Sequence, residues 1–488
     1  AGMSSETSTT VRADAGTMKI TYDGGKDINL AGIYPKDDVW ATKTITVTGN
    51  NTTDAEMYYK LTLVVDSNTV KTDDPLQYEL VSTNTSTNGK IIPNISKTDI
   101  TGTSIELGKG HFVKANNAKH TYELKIYYPK KTTSQNANQG AAFSAHVEIT
   151  SAKAPTTPTF AETILANNEV KAPLTTPGAA VSTADEALLA SAEDDYGTSY
   201  YFRGAVTNNY VEFANKCWRI VRIGGDNTVK LILHNDNTSN VSNPCSSANN
   251  STTAAFAHYN GSTYRSVFNI NYDDNAYVGF KYGTAGSSTF EATHANINKS
   301  KILTNLESWY DNNLSNYNDL IADNVFCADK SPVTTSGFDP LDKGPSKLGY
   351  AKNMTYYATI ERLVNDDNSG YGSAGGTGLN LKCNGELSRI TSKIGLISAD
   401  EAAYAGYAYR LDNSGTYLQE NSTGDSWWTI SPCYYYSYGA TICDISRYIF
   451  SSRSTNFKGI RPVISLKSST TFLNRSGTSE DPYVIDQK

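Results

Sequence analysis

Trp427-Trp428-Thr429-Ile430-Ser431-Pro432-Cys433-Tyr434-Tyr435-Tyr436 carries more information than any other stretch of the chain. A second cysteine follows at Cys443, and then comes Gly459-Ile460-Arg461-Pro462-Val463-Ile464-Ser465-Leu466. Tyr434, Tyr435, Tyr436, Tyr438, Tyr448 and Phe450 crowd a segment that is also rich in Ser. No helix or strand period accounts for all of these rings as core. Tyr supplies rigid amphipathic contact area at low entropic cost, and Ser supplies adaptable hydrogen bonds. Rings with a polar tip are enriched at binding surfaces. The segment from Tyr434 to Phe457 therefore reads as a displayed recognition loop, with Trp427 or Trp428 at its base. The competing reading buries up to half of the rings under the 459–466 strand. In alternating strand geometry one Trp points inward and the other outward. Arg461, before Pro462, reads as a buried anchor rather than a ligand clamp.

The composition bounds what surrounds this segment. A chain of 488 residues suggests two or three domains. The net charge of −7 argues against a nucleic-acid partner, which calls for a basic face. Only 19% of residues are charged and the mean hydropathy is −0.45, so the polarity comes from Asn, Ser, Thr, Gly and 33 Tyr. That mixture suits β-strands and long ordered loops on an extracellular surface. Disordered chains are poor in aromatic and β-branched residues, and this one is rich in both. No apolar run approaches the roughly 18–20 residues needed to span a bilayer, so no membrane insertion is expected. The start at Ala1-Gly2-Met3-Ser4 fits a processed secreted chain, and the end at Tyr483-Val484-Ile485-Asp486-Gln487-Lys488 shows no wall-sorting motif.

Cys217, Cys245, Cys327, Cys383, Cys433 and Cys443 all fall in the C-terminal part. An even number in a secreted chain reads as disulfides, with 15 possible connectivities. Order along the chain suggests Cys217–Cys245, Cys327–Cys383 and Cys433–Cys443. No C-x-x-C or H-x-x-x-H spacing favours a transition metal.

Residues 1–16 are small and polar yet strand-prone, with no evident local partner. Ser5, Thr7, Thr9 and Val11 are the residues expected to complete the sheet of a neighbouring copy. A first domain is expected over 17–152. Its period-2 strands include Met18–Tyr22, Thr44–Thr48, Tyr58–Val65, His120–Tyr128 and Ala142–Ile149, separated by Asp23-Gly24-Gly25, Gly49-Asn50-Asn51 and Asn88-Gly89. This predicts an all-β sandwich or jelly roll. Residues 153–195 read as a Pro/Thr/Ala linker holding a short helix at 160–168. A second domain, 196–488, is expected to be α+β with few helices. One helix is predicted over 299–316, with Ile302, Leu303, Leu306, Trp309, Tyr310 and Leu314 on one face. Another begins at Ser398, with Glu401 three residues on as a capping box. The irregular stretches 329–352 and 365–382 are long enough to require a function or a tether.

Catalytic signatures are missing from the sequence. None of the six His sits in a nucleophile motif, and no G-x-S-x-G, H-E-x-x-H, Walker or Rossmann fingerprint occurs. Gly370-Tyr371-Gly372-Ser373-Ala374-Gly375-Gly376-Thr377-Gly378 follows Asp and Asn rather than a strand, so it reads as a loop. Asp273-Asp274-Asn275, Asp366-Asp367-Asn368 and Asp194-Asp195 offer oxygen ligands of the kind Ca²⁺ takes, but without EF-hand spacing they read as solvated turns. No cofactor is expected beyond that Ca²⁺ option, and the chain is not expected to be an enzyme.

Two resemblances sharpen these expectations. Residues 17–150 resemble the TasA/camelysin family of secreted biofilm-fibre subunits of Gram-positive bacteria. The match rests on Ile28-Asn29-Leu30-Ala31-Gly32-Ile33-Tyr34-Pro35-Lys36-Asp37-Asp38, on Thr44–Asn50 followed by Ala55–Leu61, and on His120-Thr121-Tyr122-Glu123-Leu124-Lys125-Ile126-Tyr127 followed by Asn138–Phe143. Tyr127 or Tyr128 stands where that family has Trp. The resemblance implies a jelly roll whose N-terminal segment completes the sheet of its neighbour in a fibre. Residues 196–488 are similar to a domain of unknown function common in surface proteins of gut Gram-positive bacteria. Tyr201–Gly204, Cys217–Ile223 and Tyr277–Gly283 carry that likeness. Gly395–Glu401, Trp428–Cys433 and Gly459–Val463 further resemble the formylglycine-generating-enzyme branch of the C-type-lectin fold. That enzyme's copper-binding Cys pair has no counterpart here, so the resemblance implies the fold without the activity. Together they imply a mainly β, multidomain, secreted cell-surface filament subunit. Its partner would be itself, as a homopolymer, and its lectin-like domain would meet a host or matrix glycan or protein. A glycan-active secreted enzyme and a monomeric secreted adhesin are the alternatives.

Overall fold

A computed structural model describes residues 6–12, 17–52, 54, 56–84, 88–151, 158–370, 372 and 375–485. They form two compact units, divided between Thr159 and Phe160. The chain is mainly β.

The first unit holds ten strands: β1 (Glu6–Arg12), β2 (Thr17–Asp23), β3 (Ile28–Ile33), β4 (Lys36–Asn51), β5 (Met57–Asn68), β6 (Gln77–Ser82), β7 (Ile95–Asp99), β8 (Ser104–Phe112), β9 (Ala115–Tyr128) and β10 (Ala141–Ser151). They make one sheet in the order β1-β2-β4-β9-β6-β7 and a second in the order β3-β10-β5-β8. The alternation in sequence sets the core. Tyr59, Leu61, Leu63 and Val65 of β5 are buried, as are His120, Tyr122, Leu124, Ile126 and Tyr128 of β9. Each set therefore lines one face of its strand. Polar groups bridge the sheets across this core. The Tyr59 hydroxyl lies 2.7 Å from His120 Nδ1 and 2.5 Å from the Tyr122 hydroxyl. Burial lowers the His120 pKa, which suits a ring held between Phe112 and the Asn88 carbonyl.

Two expectations fail in this unit. Gly49-Asn50-Asn51 is not a turn but the end of the long strand β4, where the pairing with β9 slips by a residue. The Asn50 side chain accepts the N–H of Asn117, whose left-handed φ of 53° absorbs the irregularity. The N-terminal segment has a local partner as well: β1 runs antiparallel to β2 from Glu6↔Asp23 to Arg12↔Thr17. Thr7, Thr9 and Val11 are described by backbone only, and Ser5 lies outside the described residues.

The second unit opens with helix α1 (Phe160–Ala166), whose Phe160 and Ile164 enter the unit's main core. Residues 160–195 are thus part of this fold and not linker. Strand β11 (Ala187–Asp194) zips onto β12 (Gly197–Gly204) over eight residue pairs. Residues 152–157 of the expected linker lie outside the described residues. The sheet continues through β13 (Tyr210–Phe213), β14 (Lys216–Ile223) and β15 (Val229–Asn235). Helix α2 (Lys301–Asn313) starts where Ser300 Oγ accepts the Leu303 N–H, and it buries the six apolar residues that define its period or follow it. Beyond it come β16 (Asn324–Cys327), α3 (Ala358–Leu363), β17 (Arg389–Ser392) and α4 (Ala399–Tyr404), then β18 (Trp427–Tyr436), β19 (Gly439–Ile445), β20 (Ile449–Arg453), β21 (Val463–Leu466) and β22 (Tyr483–Ile485). Strands β21 and β22 join the first sheet of this unit by pairing with β15 and β13. Strands β18, β19 and β20 form a second sheet, in which β18 also pairs with Thr355–Tyr356 and Gly459.

The six cysteines pair in chain order, with Cα separations of 4.9 Å for Cys217–Cys245, 5.5 Å for Cys327–Cys383 and 5.3 Å for Cys433–Cys443. Both long irregular stretches, 329–352 and 365–382, lie inside the loop that Cys327–Cys383 closes. Three disulfides fit an oxidising, extracellular compartment. Among the described residues no helix is long and apolar enough to cross a membrane.

Candidate functional site

The expected recognition loop is mostly not a loop. Residues 427–436 and 439–453 are the adjacent strands β18, β19 and β20. Strand β18 sits inside its sheet with both faces covered, so the in-and-out alternation of Trp427 and Trp428 does not apply. Both Trp side chains are fully buried. Trp428 donates from Nε1 to the Ser266 carbonyl at 2.8 Å and meets Phe268 edge-on. Trp427 lies under the Arg461 guanidinium, 5.0 Å from its ring centre. Arg461 is the buried anchor that its place before Pro462 suggested, donating to the carbonyls of Leu233 and Leu418. Burial lowers its pKa to about 10.

The tyrosines divide along the same strand. Tyr434 is buried and its hydroxyl lies 2.8 Å from Ser451 Oγ. Tyr435 is buried against Val278, Tyr357 and Ala440. Both are core side chains. Tyr436 and Tyr448 are half-buried, and Tyr438 is 59% exposed. Tyr436 pairs with Gly439 across a two-residue turn, Ser437-Tyr438, so Tyr438 stands at the hairpin tip. Gly439 has φ +87°, and a Cβ there would strike the Tyr272 carbonyl. The glycine therefore lets residue 272 close against the hairpin, with Ala440 donating to the same carbonyl. Arg453 completes the group: it donates from Nε to the Tyr438 carbonyl and its guanidinium lies 4.4 Å from the Tyr272 ring centre. Tyr436, Tyr438 and Tyr272 with Arg453 thus make an aromatic and cationic tip, with Tyr438 edge-on to Tyr436 at 5.1 Å. Tyr272 and Arg453 carried no sequence signal of their own, because 181 positions separate them and only the fold brings them together.

A second, larger concentration of chemistry lies elsewhere in this unit. The Glu401 carboxylate, one half of the predicted capping box, accepts the Ser398 N–H through Oε1. Its Oε2 accepts from Arg222 at 2.7 Å and Lys230 at 2.8 Å. Arg222 also pairs with Asp194, while Arg362 bridges Asp400 and Asp329. Burial by itself would raise the Glu401 pKa, but Lys230 and Arg222 outweigh it and hold the carboxyl well below its usual range. These groups line a cavity of about 50 Å³. At roughly 10–15 Å³ per water it has room for only a few solvent molecules, and it is far below the roughly 300 Å³ at which ligand pockets begin. Asp194, Glu401, Asp400 and Asp329 are spent on Arg222, Lys230 and Arg362, so this group works as an internal brace.

Several carboxylates of the acidic stretches considered for Ca²⁺ already accept hydrogen bonds from the protein. Asp194 accepts from Arg222, Tyr196 and Gly225, and Asp195 from Arg389 and Cys383. Asp274 accepts the N–H groups of Ala276 and Gly286, and Asp367 accepts from Ser369. Among the described residues no group of three or more His, Cys, Asp or Glu is arranged to hold a metal ion.

No family model matches the chain, and no curated protein matches it. Among solved structures, the crystal structure of the Macrobrachium rosenbergii nodavirus P-domain is similar at 16% identity, covering 27% of this chain and 90% of that one with a TM-score of 0.14. A likeness at that score carries no argument about fold or function.

Proposed function

We propose that this chain is a secreted surface subunit that polymerises through its first unit and presents its second for adhesion. The first unit is then a jelly roll of the biofilm-fibre kind, and the second a C-type-lectin-like display domain. The observation that carries the reading is the place of β1. It is a seven-residue strand at the edge of its sheet, held by the pairing with β2. An edge strand that pairs on one side is the element most readily exchanged between copies. In the polymer β1 completes the sheet of the next copy, and the hairpin with β2 is the closed, unassembled form. Such assembly takes the N-terminal residues Thr7, Thr9 and Val11 as its donor positions. The hairpin tip around Tyr438 is the surface left free for a glycan or protein partner.

Negative-stain electron microscopy of the purified full chain tests this directly. Filaments are expected, and deletion of residues 1–12 is expected to leave folded particles that do not assemble. Filaments formed by the truncated chain refute strand donation. The pairing of β1 within its own chain favours one other reading, a monomeric secreted adhesin, and single particles from the full chain at every concentration establish that reading instead.

A further inference from the structure

Strand β15 ends at Asn235, and the chain then passes through a short loop with Asn237 and Asn240 in the left-handed region, φ 55° and 52°. Asn tolerates that backbone better than most residues. The loop is tightly held. Asn237 donates to the carbonyls of Asn215 and Val241 at 2.7 and 3.0 Å, and its Oδ1 accepts the Val241 N–H at 2.8 Å. The Cys217–Cys245 disulfide ties the far end of the loop to β14.

Within this loop Asp236 is buried, at 3% exposure. Its Oδ1 accepts from Trp309 Nε1 at 3.1 Å and faces Lys216 Nζ at 2.9 Å. Its Oδ2 accepts the His258 backbone N–H at 2.8 Å and lies 2.9 Å from His258 Nδ1. Burial favours the neutral acid, but His258 and Lys216 outweigh it and lower the Asp236 pKa. An ionised carboxylate only accepts hydrogen bonds, so Nδ1 is the donor in this pair, and the tautomer with its proton on Nδ1 presents Nε2 as an acceptor. Nε2 has no hydrogen-bond partner among the described residues.

His258 lines a cavity of about 210 Å³ together with Thr238, Ser239, Ser251 and Thr253. Among the described residues the hydroxyls of Thr238, Ser239 and Thr253 likewise have no protein partner. The one carboxylate in the wall is already paired with Lys216, and among the described residues no Lys or Arg lines the cavity to meet an anion. One imidazole and one carboxylate already paired with Lys216 are too few ligands for a metal ion. The volume lies below the roughly 300 Å³ of sites for drug-sized molecules. What fits is one small ring carrying neutral hydroxyls.

We propose that this cavity binds a single neutral sugar or polyol unit, with His258 Nε2 accepting a ligand hydroxyl and Asp236 acting as the positioning residue that fixes the ring's tautomer. The site shares no residue with the Tyr438 tip and does not depend on polymerisation.

Saturation-transfer NMR of the full chain with D-galactose, D-mannose and N-acetyl-D-glucosamine tests the proposal. At least one of these sugars is expected to show transfer, and His258→Ala and Thr253→Val are each expected to weaken it about tenfold. Thr253→Val keeps the shape of the side chain, so it remains decisive if the His258 variant is unstable. Silence from all three sugars, or transfer unchanged in Thr253→Val and His258→Ala, overturns the proposal. Transfer that disappears in Tyr438→Ser while surviving in Thr253→Val assigns the sugar to the hairpin tip and overturns it equally.

Discussion

Tyr435 and Tyr438 stand three positions apart and do different work, one filling a small core and the other standing in solvent. Replacing Tyr435 with Ser should cost about 2–4 kcal/mol, because it leaves a cavity among Val278, Tyr357 and Ala440. Replacing Tyr438 with Ser should change stability by less than about 0.5 kcal/mol. Urea unfolding of the intact chain measures both, and equal losses would show that Tyr438 is as much a core side chain as Tyr435. Glu401 is a second residue with a calculable role. Its folded-state pKa lies below its ordinary value of 4.5, so its pairing stabilises fully above that value and is lost as the pH falls toward the folded one. Glu401→Gln should therefore destabilise the second unit by about 3–5 kcal/mol at neutral pH, since it leaves Lys230 and Arg222 buried with one charge fewer. Its stability should also fall less steeply than wild type below about pH 5. Unfolding midpoints across an acid pH series check the sign, and parallel curves for the two proteins would show that Glu401 does not titrate with folding.

At the scale of elements, α4 is short and rests on its cap. Ser398 Oγ accepts the Glu401 N–H and the Glu401 side chain returns to the Ser398 N–H. Ser398→Ala should cost about 1 kcal/mol, measured as a shift of the urea midpoint at constant slope. The hairpin β18–β19 has a covalent tie in Cys433–Cys443, which encloses a sequence separation of 10. Loss of that tie, in the double variant Cys433→Ala/Cys443→Ala, should cost roughly 2–3 kcal/mol. Peptide mapping without reductant should recover the 433–443 cross-link, and any other pairing of either residue would contradict the structure.

At the scale of the molecule, each unit has its own hydrophobic core, and all three disulfides lie in the second. Calorimetry should therefore resolve two unfolding transitions. Reductant should lower one and leave the other in place, and a chain beginning at Phe160 should keep only the reductant-sensitive one. A single transition, or two that move together on reduction, would show that the units do not unfold separately.

Much of this organisation follows from the sequence alone. Period-2 alternation marks β2, β5, β9 and β10, because a strand buried on one face writes its core on every second residue. The 3.6-residue period marks α2, and the Ser398/Glu401 spacing marks the start of α4, because both signals are local. What escaped were features decided by covering and closure. Strand β18 reads as a display segment because an aromatic run is the same whether one face or both are covered, and the side chains packed on it include Phe268, Tyr356 and Arg461. Short segments such as β11 read as linker because pairing with β12, and not their own composition, makes them strands. The Tyr438 tip joins Arg453 to Tyr272 across 181 positions, the Glu401 brace joins Arg222 to Glu401 across 179, and Asp236 meets His258 across 22. Only the tertiary structure could assemble them, since hydrogen bonds and ion pairs at that separation depend on where the backbone goes and leave no period in the chain.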